Sequence, residues 1–133
     1  MSMTLRQLSA EVPGARIEGN DQAAVCRVTH DSRSVQSGDL FACLVGDTFD
    51  GHRFAPDALR RGAAALAVQE DHVADVRGLA PLLVVPDTRT ALPRLAAAAC
   101  GNPSRGILLV GITGTNGKTT TTNLVAGVLA AAG

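Results

Sequence analysis

Apolar positions recur at helical spacing at the start of the chain and in short runs after it. Leu5 and Leu8 fall on one face of a helix predicted over residues 4–12, and Thr4 can serve as its N-cap. The Pro-Gly pair at residues 13–14 ends this helix, because both residue types disfavour its continuation.

Short apolar runs and helical patterns then alternate, which predicts an α/β fold with a mostly parallel sheet. Strands are predicted over residues 15–18, 24–29, 39–45, 63–68, 82–85 and 107–113. Helices are predicted over residues 52–61, 91–100 and 118–132. Gly62 is well placed to end the first of these helices. Thr90 or Asp87 caps the second, so that Pro93 falls in its first turn, where a missing N–H is tolerated.

The stretch GNPS at residues 101–104 is the best linker candidate, because Gly, Asn and Pro disfavour helix. We expect a small N-terminal α/β domain over residues 1–101, a linker over 102–106 and a second region over 107–133. The second region is predicted to contain one strand and one helix, which cannot bury their own faces. We therefore expect it to be the first strand–loop–helix unit of a larger domain that has been cut off.

The composition is that of a globular protein, with 46% hydrophobic and 18% charged residues. Lys+Arg and Asp+Glu balance at 12 each and there are only three aromatic residues, all Phe, so neither nucleic acid nor a membrane is an expected partner. We find no signal-peptide pattern and no apolar tract of membrane-spanning length, and we expect a cytoplasmic protein. The three cysteines, at positions 26, 43 and 100, form no CxxC pair and are expected to be buried and reduced.

The stretch GITGTNGKTT at residues 111–120 lies between a predicted strand and a predicted helix. Unpaired N–H groups and the helix dipole favour an anion at such a position. Glycines let the backbone curl around a phosphate, Lys118 can reach the terminal phosphates, and the hydroxyl of Thr119 can bind Mg²⁺. The sequence therefore predicts a phosphate-binding loop.

This loop departs from the pattern G-x-x-x-x-G-K-[ST] in one respect. The first glycine of the pattern would fall on Ile112, and the glycines lie instead at positions 111, 114 and 117. The alternative is a glycine-rich turn with a solvated Lys118. The combination of Gly-Lys-Thr with a strand before it and a helix after it favours phosphate binding. Of the threonines that follow Thr119, only Thr120 is a candidate for a further contact.

A second set of polar residues surrounds the strand predicted over residues 39–45. It consists of HDSR at residues 30–33, GDLF at 38–41 and DGH at 50–52. One interpretation is structural: Asp31, Ser32 and the Asp-Gly pair at residues 50–51 form turns, and His52 starts a helix.

The other interpretation is functional, because loops at strand ends of α/β domains supply binding groups. Ser32, Arg33 and Asp39 would suit recognition of a nucleotide-sugar diphosphate. His30 fits either interpretation. His72 is expected to be a solvated helix residue.

These motifs together resemble a known family. DSRSV, GDLF, DGHRF and GITGTNGKTTT, in that order, are similar to the N-terminal part of the Mur ligases, the ATP-dependent amide ligases that build the peptidoglycan stem peptide. The motifs lie between Asp31 and the end of the chain. The wording GTNGKTTT after an Asn-Pro-Ser linker is most similar to the branch that adds an amino acid to UDP-MurNAc-L-Ala-D-Glu. GDTFDGHRF is equally typical of the branch that adds D-Ala-D-Ala.

The resemblance implies roles for particular residues. The loop would bind ATP and Mg²⁺ through Gly114, Thr115, Asn116, Gly117, Lys118, Thr119 and Thr120, with Lys118 and Thr119 taking part in catalysis and Thr119 as the metal ligand. The UDP part of a UDP-MurNAc-peptide would lie against His30, Ser32, Asp47, Thr48 and Phe49. The incoming amino acid would be selected by a domain beyond this sequence, so the 133-residue chain alone is expected to be inactive. A non-catalytic UDP-muropeptide-binding module, another P-loop ATPase and a folylpolyglutamate-type ligase stay open.

Overall fold

A computed structural model describes residues 2–133 of the chain. Seven strands form within these described residues: β1 Met3–Thr4, β2 Arg16–Glu18, β3 Ala24–Val25, β4 Arg27–Thr29, β5 Asp39–Ala42, β6 Ala65–Gln69 and β7 Leu82–Val85. The α-helices are α1 Leu5–Ser9, α2 Ala55–Arg60, α3 Val73–Val76, α4 Thr88–Ala99 and α5 Lys118–Ala132. Single 3-10 turns cover Ser32–Ser34, Gly51–Phe54, Glu70–His72 and Pro103–Gly106.

The main sheet has the strand order β2-β7-β6-β5-β4. The pairs β4–β5, β5–β6 and β6–β7 are parallel, whereas β2 pairs antiparallel with β7. The predicted α/β class with mostly parallel pairing is confirmed. The predicted strand over residues 24–29 is in fact two strands, because β3 pairs with β1 in a separate two-stranded sheet.

Helices cover both faces of this sheet, so the central strands are buried along almost their whole length. Alternate residues of β5 point to opposite sides: Leu40 packs into one core with Leu5 of α1 and Leu95 of α4, and Phe41 packs into the other with Ala58 of α2. Strands that are buried on both faces require continuous apolar runs rather than alternation. This explains why LFA at residues 40–42, ALAV in β6 and LLVV in β7 are uniformly apolar.

The first helix begins where its sequence predicts. The hydroxyl oxygen of Thr4 accepts a hydrogen bond from the Gln7 amide, and the Gln7 side chain accepts one from the Thr4 amide. This reciprocal capping box satisfies two amides that the helix itself leaves unpaired.

The position predicted for Pro93 is wrong. Asp87 is the N-cap, so α4 starts at Thr88 and Pro93 lies inside the helix rather than in its first turn. Proline has no N–H, so the helical hydrogen bond that this position would donate to the Arg89 carbonyl is missing.

The expectation that all three cysteines are buried is also wrong. Cys43 is buried, and burial raises the pKa of its thiol to about 12. Cys26 and Cys100 are exposed.

The chain divides into two compact units, one up to Pro103 and one over Ser104–Gly133. Within the second unit α5 forms as predicted, but residues 107–113 are not a strand. A strand is defined by hydrogen bonds to a neighbour, and the second unit contains no other strand to supply them. None of the helices in the described part of the chain combines the length and the apolar composition that crossing a membrane requires.

Candidate functional site: a cavity at the edge of the sheet

The carboxyl ends of β4, β5, β6 and β7 meet at one edge of the sheet, because these strands are parallel. Ligands of open α/β sheets bind at this edge. A cavity of about 730 Å³ lies here, which we call the edge cavity. Its walls come from the turn after β4, the loop after β5, the start of α2 and the start of α4. The lining residues that matter below are His30, Asp31, Ser32, Arg33, Phe49, Phe54, Asp57 and Arg89.

The structure brings together three of the residues predicted to contact the UDP part of a substrate. His30, Ser32 and Phe49 all line the edge cavity, although they come from two separate loops. Phe49 is 63% exposed, so its ring offers an apolar face without a protein partner covering it. Asp47 and Thr48 lie in the same loop as Phe49 and are exposed, but they do not line the edge cavity.

Asp31 shapes the turn that carries Ser32. One carboxylate oxygen accepts a hydrogen bond from the Arg33 amide at 3.0 Å, and the two oxygens accept from the Arg33 guanidinium at 2.9 and 3.0 Å. The side-chain bond, followed by the backbone bond, lowers the pKa of Asp31 to about 2. Asp31 is therefore a turn former, as the structural interpretation predicts, and it also lines the edge cavity.

The structure gives Asp39 a different place from the one predicted. Its side chain is only 2% exposed and accepts hydrogen bonds from the Arg27 guanidinium at 3.1 and 2.6 Å and from the Gln36 amide at 2.8 Å. Burial alone would raise the pKa of Asp39, but these hydrogen bonds outweigh it and hold the pKa below its ordinary value. Arg27 also donates to the Ser34 carbonyl at 2.7 Å. Asp39 thus anchors the turn after β4 and does not face a ligand.

The loop over residues 43–50, which we call the β5 loop, folds back on itself. The Gly46 amide donates to the Phe49 carbonyl at 2.9 Å, and the Gly51 amide donates to the Leu44 carbonyl at 2.7 Å. A Cβ at Gly51 would lie 2.6 Å from both the N and the O of Leu44, so only glycine fits where the loop closes. The closed loop holds Phe49 at the rim of the edge cavity.

A buried histidine connects the β5 loop to the sheet. His52 is 4% exposed; its Nδ1 lies 2.6 Å from Asp50 and its Nε2 accepts a hydrogen bond from the Gln69 amide at 3.3 Å. An amide only donates, so Nε2 carries no proton and Nδ1–H donates to Asp50. Burial lowers the pKa of His52, with a smaller opposing effect from Asp50, and the ring is neutral. The sequence placed His52 correctly at a helix start but missed its burial.

The prediction for His72 is wrong. Its ring stacks on that of His52, with centroids 4.1 Å apart, and its Nδ1 lies 3.4 Å from Asp50. Ligand atoms of Asp50, His52 and His72 lie within 4.8 Å of one another, close enough to consider a metal ion. Both nitrogens of His52 already have protein partners, however, and the two rings stack instead of converging on one point. We interpret the group as a structural clamp.

The second unit contains the predicted phosphate loop. Gly117 has a positive φ of 76° and precedes α5 without any side-chain cap on the helix. The Lys118 ammonium donates to the Gly114 carbonyl at 2.7 Å, which closes the loop over residues 114–118. Thr115, Asn116, Thr119 and Thr120 are exposed beside it. Uncapped amides, an ammonium group and exposed hydroxyls are together suited to a phosphate.

Sequence reasoning missed Phe54, Asp57 and Arg89 as lining residues of the edge cavity. Arg89 follows β7, the fourth of the parallel strands that end at this edge. The rule that parallel strands share an edge could have pointed to it, but only with the strand order known.

The comparisons with known proteins agree with these motifs. The model of the Mur ligase family, described as its catalytic domain, matches residues 24–99, more than half of the chain. The chain belongs to the Mur ligase family. The predicted resemblance is thereby confirmed for a region that contains β3 to β7 and all of α4.

Curated members of this family match over most of the chain. A UDP-N-acetylmuramoyl-L-alanyl-D-glutamate–2,6-diaminopimelate ligase of Geobacillus kaustophilus is 42% identical over 123 residues, which is 92% of this chain and 24% of that protein. A UDP-N-acetylmuramyl-tripeptide synthetase of a Roseiflexus species is 50% identical over 109 residues, 82% of this chain and 21% of that protein. The chain therefore spans about a quarter of the length of the curated relatives it matches.

A solved structure of the family has a similar fold. The UDP-N-acetylmuramoylalanyl-D-glutamyl-2,6-diaminopimelate–D-alanyl-D-alanyl ligase of Acinetobacter baumannii aligns with a TM-score of 0.73 at 30% identity. The alignment covers 98% of this chain and 28% of that protein. The mixed α/β architecture is thus that of a Mur ligase.

Proposed function

We propose that this chain is the substrate-recognition and phosphate-loop part of an ATP-dependent ligase that adds an amino acid to UDP-MurNAc-L-Ala-D-Glu in peptidoglycan precursor synthesis. The observation that carries the proposal is the 42% identity to the Geobacillus kaustophilus ligase over 123 of the 133 residues. A match of that length in this chain necessarily includes Lys118. The match therefore covers the residues of both the edge cavity and the phosphate loop, and the matched protein is named for a single activity.

We assign a different binding function to each of the two parts of the chain. Residues 1–101 form the domain that binds the UDP end of the substrate, with His30, Ser32 and Phe49 at the edge cavity and with Asp47 and Thr48 in the adjoining β5 loop. Residues 102–106 are the linker. Residues 107–133 begin an ATP-binding domain, in which the loop from Gly114 to Thr120 holds the phosphates.

The chemistry assigned to the phosphate loop is electrostatic. A carboxylate oxygen of the UDP-MurNAc-peptide attacks the γ-phosphate of ATP to give an acyl phosphate with ADP as the leaving group; the amino group of the incoming amino acid then attacks the acyl carbon, displaces phosphate and loses a proton to form the amide. Lys118 and the loop amides neutralise charge on the phosphoryl group as it moves, and no side chain of this chain acts as the nucleophile. Thr119 would hold Mg²⁺ through its hydroxyl, and the ion would supply further neutralisation of phosphate charge.

The second candidate is a ligase that adds D-Ala-D-Ala, the activity named for the Acinetobacter baumannii protein. Its support is the structural alignment at 30% identity. The relatives named for addition of diaminopimelate or for tripeptide synthesis reach 42% and 50% identity, and we favour that activity for this reason.

The test is a calorimetric titration of the chain with UDP-MurNAc-L-Ala-D-Glu. We expect saturable binding that weakens about tenfold in Ser32→Ala, a change of roughly 1.4 kcal/mol, because one hydrogen bond to the UDP part is lost. Ser2→Ala is the matched control, since Ser2 is exposed and lies outside the edge cavity. No saturable binding would contradict the proposal, and equal binding by Ser32→Ala would remove Ser32 from the site.

A further inference from the structure

Four charged side chains line the edge cavity: Asp31, Arg33, Asp57 and Arg89. Both carboxylates are already engaged. Asp31 is paired with Arg33, and Asp57 accepts hydrogen bonds from Arg60 at 3.0 Å and from Arg61 at 3.3 Å. Each acid in the wall is therefore neutralised by a neighbouring arginine.

Arg89 is the exception among the four. Within residues 2–133 its guanidinium makes no hydrogen bond or ion pair, and only its backbone amide is engaged, with the N-cap Asp87 at 2.8 Å. The side chain is exposed, and it lines the edge cavity. The cavity therefore carries one positive charge that the protein does not balance.

The backbone next to Arg89 is fixed by a hydrogen bond from a buried side chain. The neighbouring Thr88 is 1% exposed, and its hydroxyl donates to the Gln69 side chain at 3.1 Å. The backbone amide of Gln69 in turn donates to Nε2 of His52. The Nδ1 of His52 is hydrogen-bonded to Asp50 at the end of the β5 loop. A series of partly buried hydrogen bonds thus connects the start of α4 to the loop that carries Phe49.

The two regions that these hydrogen bonds connect offer different chemistry to a ligand. Phe49 and Phe54 are 63% and 44% exposed and supply apolar surface suited to a planar ring. Arg89 supplies a planar fork of N–H donors that matches the geometry of phosphate oxygens. Arg33 offers the same group, but its charge is already balanced by Asp31.

We infer that Arg89 binds the phosphates of a nucleoside diphosphate in the edge cavity and makes the cavity selective for the diphosphate over the bare nucleoside. The inference rests on the proposed function, because it takes the ligand of the cavity to be a UDP-linked molecule. Arg89 is thus a contact residue for the anionic part of that ligand.

Titrations with two free compounds, UDP and uridine, test this on the full chain. We expect UDP to bind the wild-type protein more tightly than uridine. Arg89→Ala should weaken UDP binding about tenfold or more and leave uridine binding unchanged, because only the phosphate contact is removed. Raising the salt concentration should weaken UDP binding by the wild-type protein more than by Arg89→Ala.

The matched control is Arg94→Ala, an exposed arginine of the same helix that does not line the edge cavity. It should bind UDP as the wild-type protein does. Arg89→Lys keeps the positive charge but lacks the planar arrangement of N–H donors of a guanidinium, and an intermediate affinity for UDP is expected. Because the Arg89 side chain is exposed and makes no hydrogen bond or ion pair within residues 2–133, a thermal melt should be the same for all three variants and the wild-type protein.

The outcomes separate this inference from the proposed function. If the wild-type protein binds UDP and Arg89→Ala binds it equally well, the inference about Arg89 is overturned and the proposed function stands. If Arg33→Ala and not Arg89→Ala abolishes the preference for UDP, the inference is likewise overturned. If the wild-type protein binds neither UDP nor UDP-MurNAc-L-Ala-D-Glu, both fail together.

Discussion

Two loops of this protein carry its candidate chemistry, and they are built in opposite ways. The β5 loop is closed by two backbone hydrogen bonds and fastened to the sheet by the buried ring of His52. The phosphate loop has a side-chain contact from Lys118 to Gly114, and the residues from Gly114 to Lys118 are exposed. Tertiary contacts determine the first loop, whereas glycine conformation and a helix end determine the second.

Because the two loops are built differently, we expect substitutions in one to change the stability of the fold and substitutions in the other to change ligand binding. Substitutions that disturb the β5 loop should destabilise the first unit, because buried groups lose their partners. Substitutions in the phosphate loop should leave folding unchanged and affect only the ligand. The two loops should therefore differ in how far a substitution changes the free energy of unfolding.

The largest effect is expected for Gly51→Ala. The added methyl group would lie 2.6 Å from two backbone atoms of Leu44, so the loop has to open. We expect a loss of about 3 kcal/mol, which corresponds to a fall in Tm of roughly 10 °C. Thermal unfolding followed by circular dichroism measures this. Gly106→Ala is the control, since a Cβ there meets nothing within 4 Å, and an equal Tm for the two variants would contradict the prediction.

His52→Ala should have the next largest effect. The substitution leaves the backbone amide of Gln69 without its acceptor, removes the hydrogen bond from the imidazole to Asp50, and opens a small cavity. We expect a loss of about 2 kcal/mol in the free energy of unfolding. Urea denaturation measures it, with the exposed His30→Ala as the control, for which we expect less than about 0.5 kcal/mol. Similar losses in both variants would show that His52 is not a clamp.

The same histidine predicts how stability depends on pH. Burial holds the pKa of His52 below its ordinary value of 6.5, so the unfolded chain takes up this proton at a higher pH than the folded protein. Between those two pKa values the unfolded state binds more protons, and the free energy of unfolding falls as the pH falls. The slope from this one group is at most about 1.4 kcal/mol per pH unit.

Urea denaturation at pH values from 7.5 down to about 5 checks this direction. Asp50 and His72 contact the His52 ring and Asp71 acts on it through its charge, whereas Asp75 pairs with His72; all four side chains are still present in His52→Ala. The part of the slope that disappears in the variant therefore belongs to His52. If the dependence of the free energy of unfolding on pH is the same in His52→Ala as in the wild-type protein, it arises from other titrating groups.

Much of the fold could be predicted from the sequence because local signals agreed with the tertiary structure. The apolar runs of β5, β6 and β7 and the helical pattern of α5 lie where they were predicted. The two errors in strand assignment have one physical cause in common: each depended on a partner distant in the sequence. Residues 24–29 were predicted as one strand but are divided between two sheets, and residues 107–113 have no strand to pair with in their unit.

The candidate site was predictable in part for the same reason. Ser32 and Phe49 were identified from motifs, and the structure places both at the edge cavity. The stacking of His72 on His52 and the position of Arg89 were missed, because each requires the strand order to be known. Asp39 was misassigned, since a motif does not reveal that a carboxylate points inward to Arg27.

The smallest effect on stability is expected for Lys118→Ala. Within residues 2–133 its ammonium makes one hydrogen bond, an exposed one to the Gly114 carbonyl, so the free energy of unfolding should change by less than about 0.5 kcal/mol. Binding of ATP with Mg²⁺ should nevertheless weaken about tenfold or more, because an ammonium beside the terminal phosphates is lost. This is measured by titration of a form of the protein that spans the length of its curated relatives. Asn123→Ala, an exposed change one turn further along α5, should affect neither quantity. If Lys118→Ala destabilised the fold as much as His52→Ala while ATP still bound normally, the contrast between the two loops would be wrong.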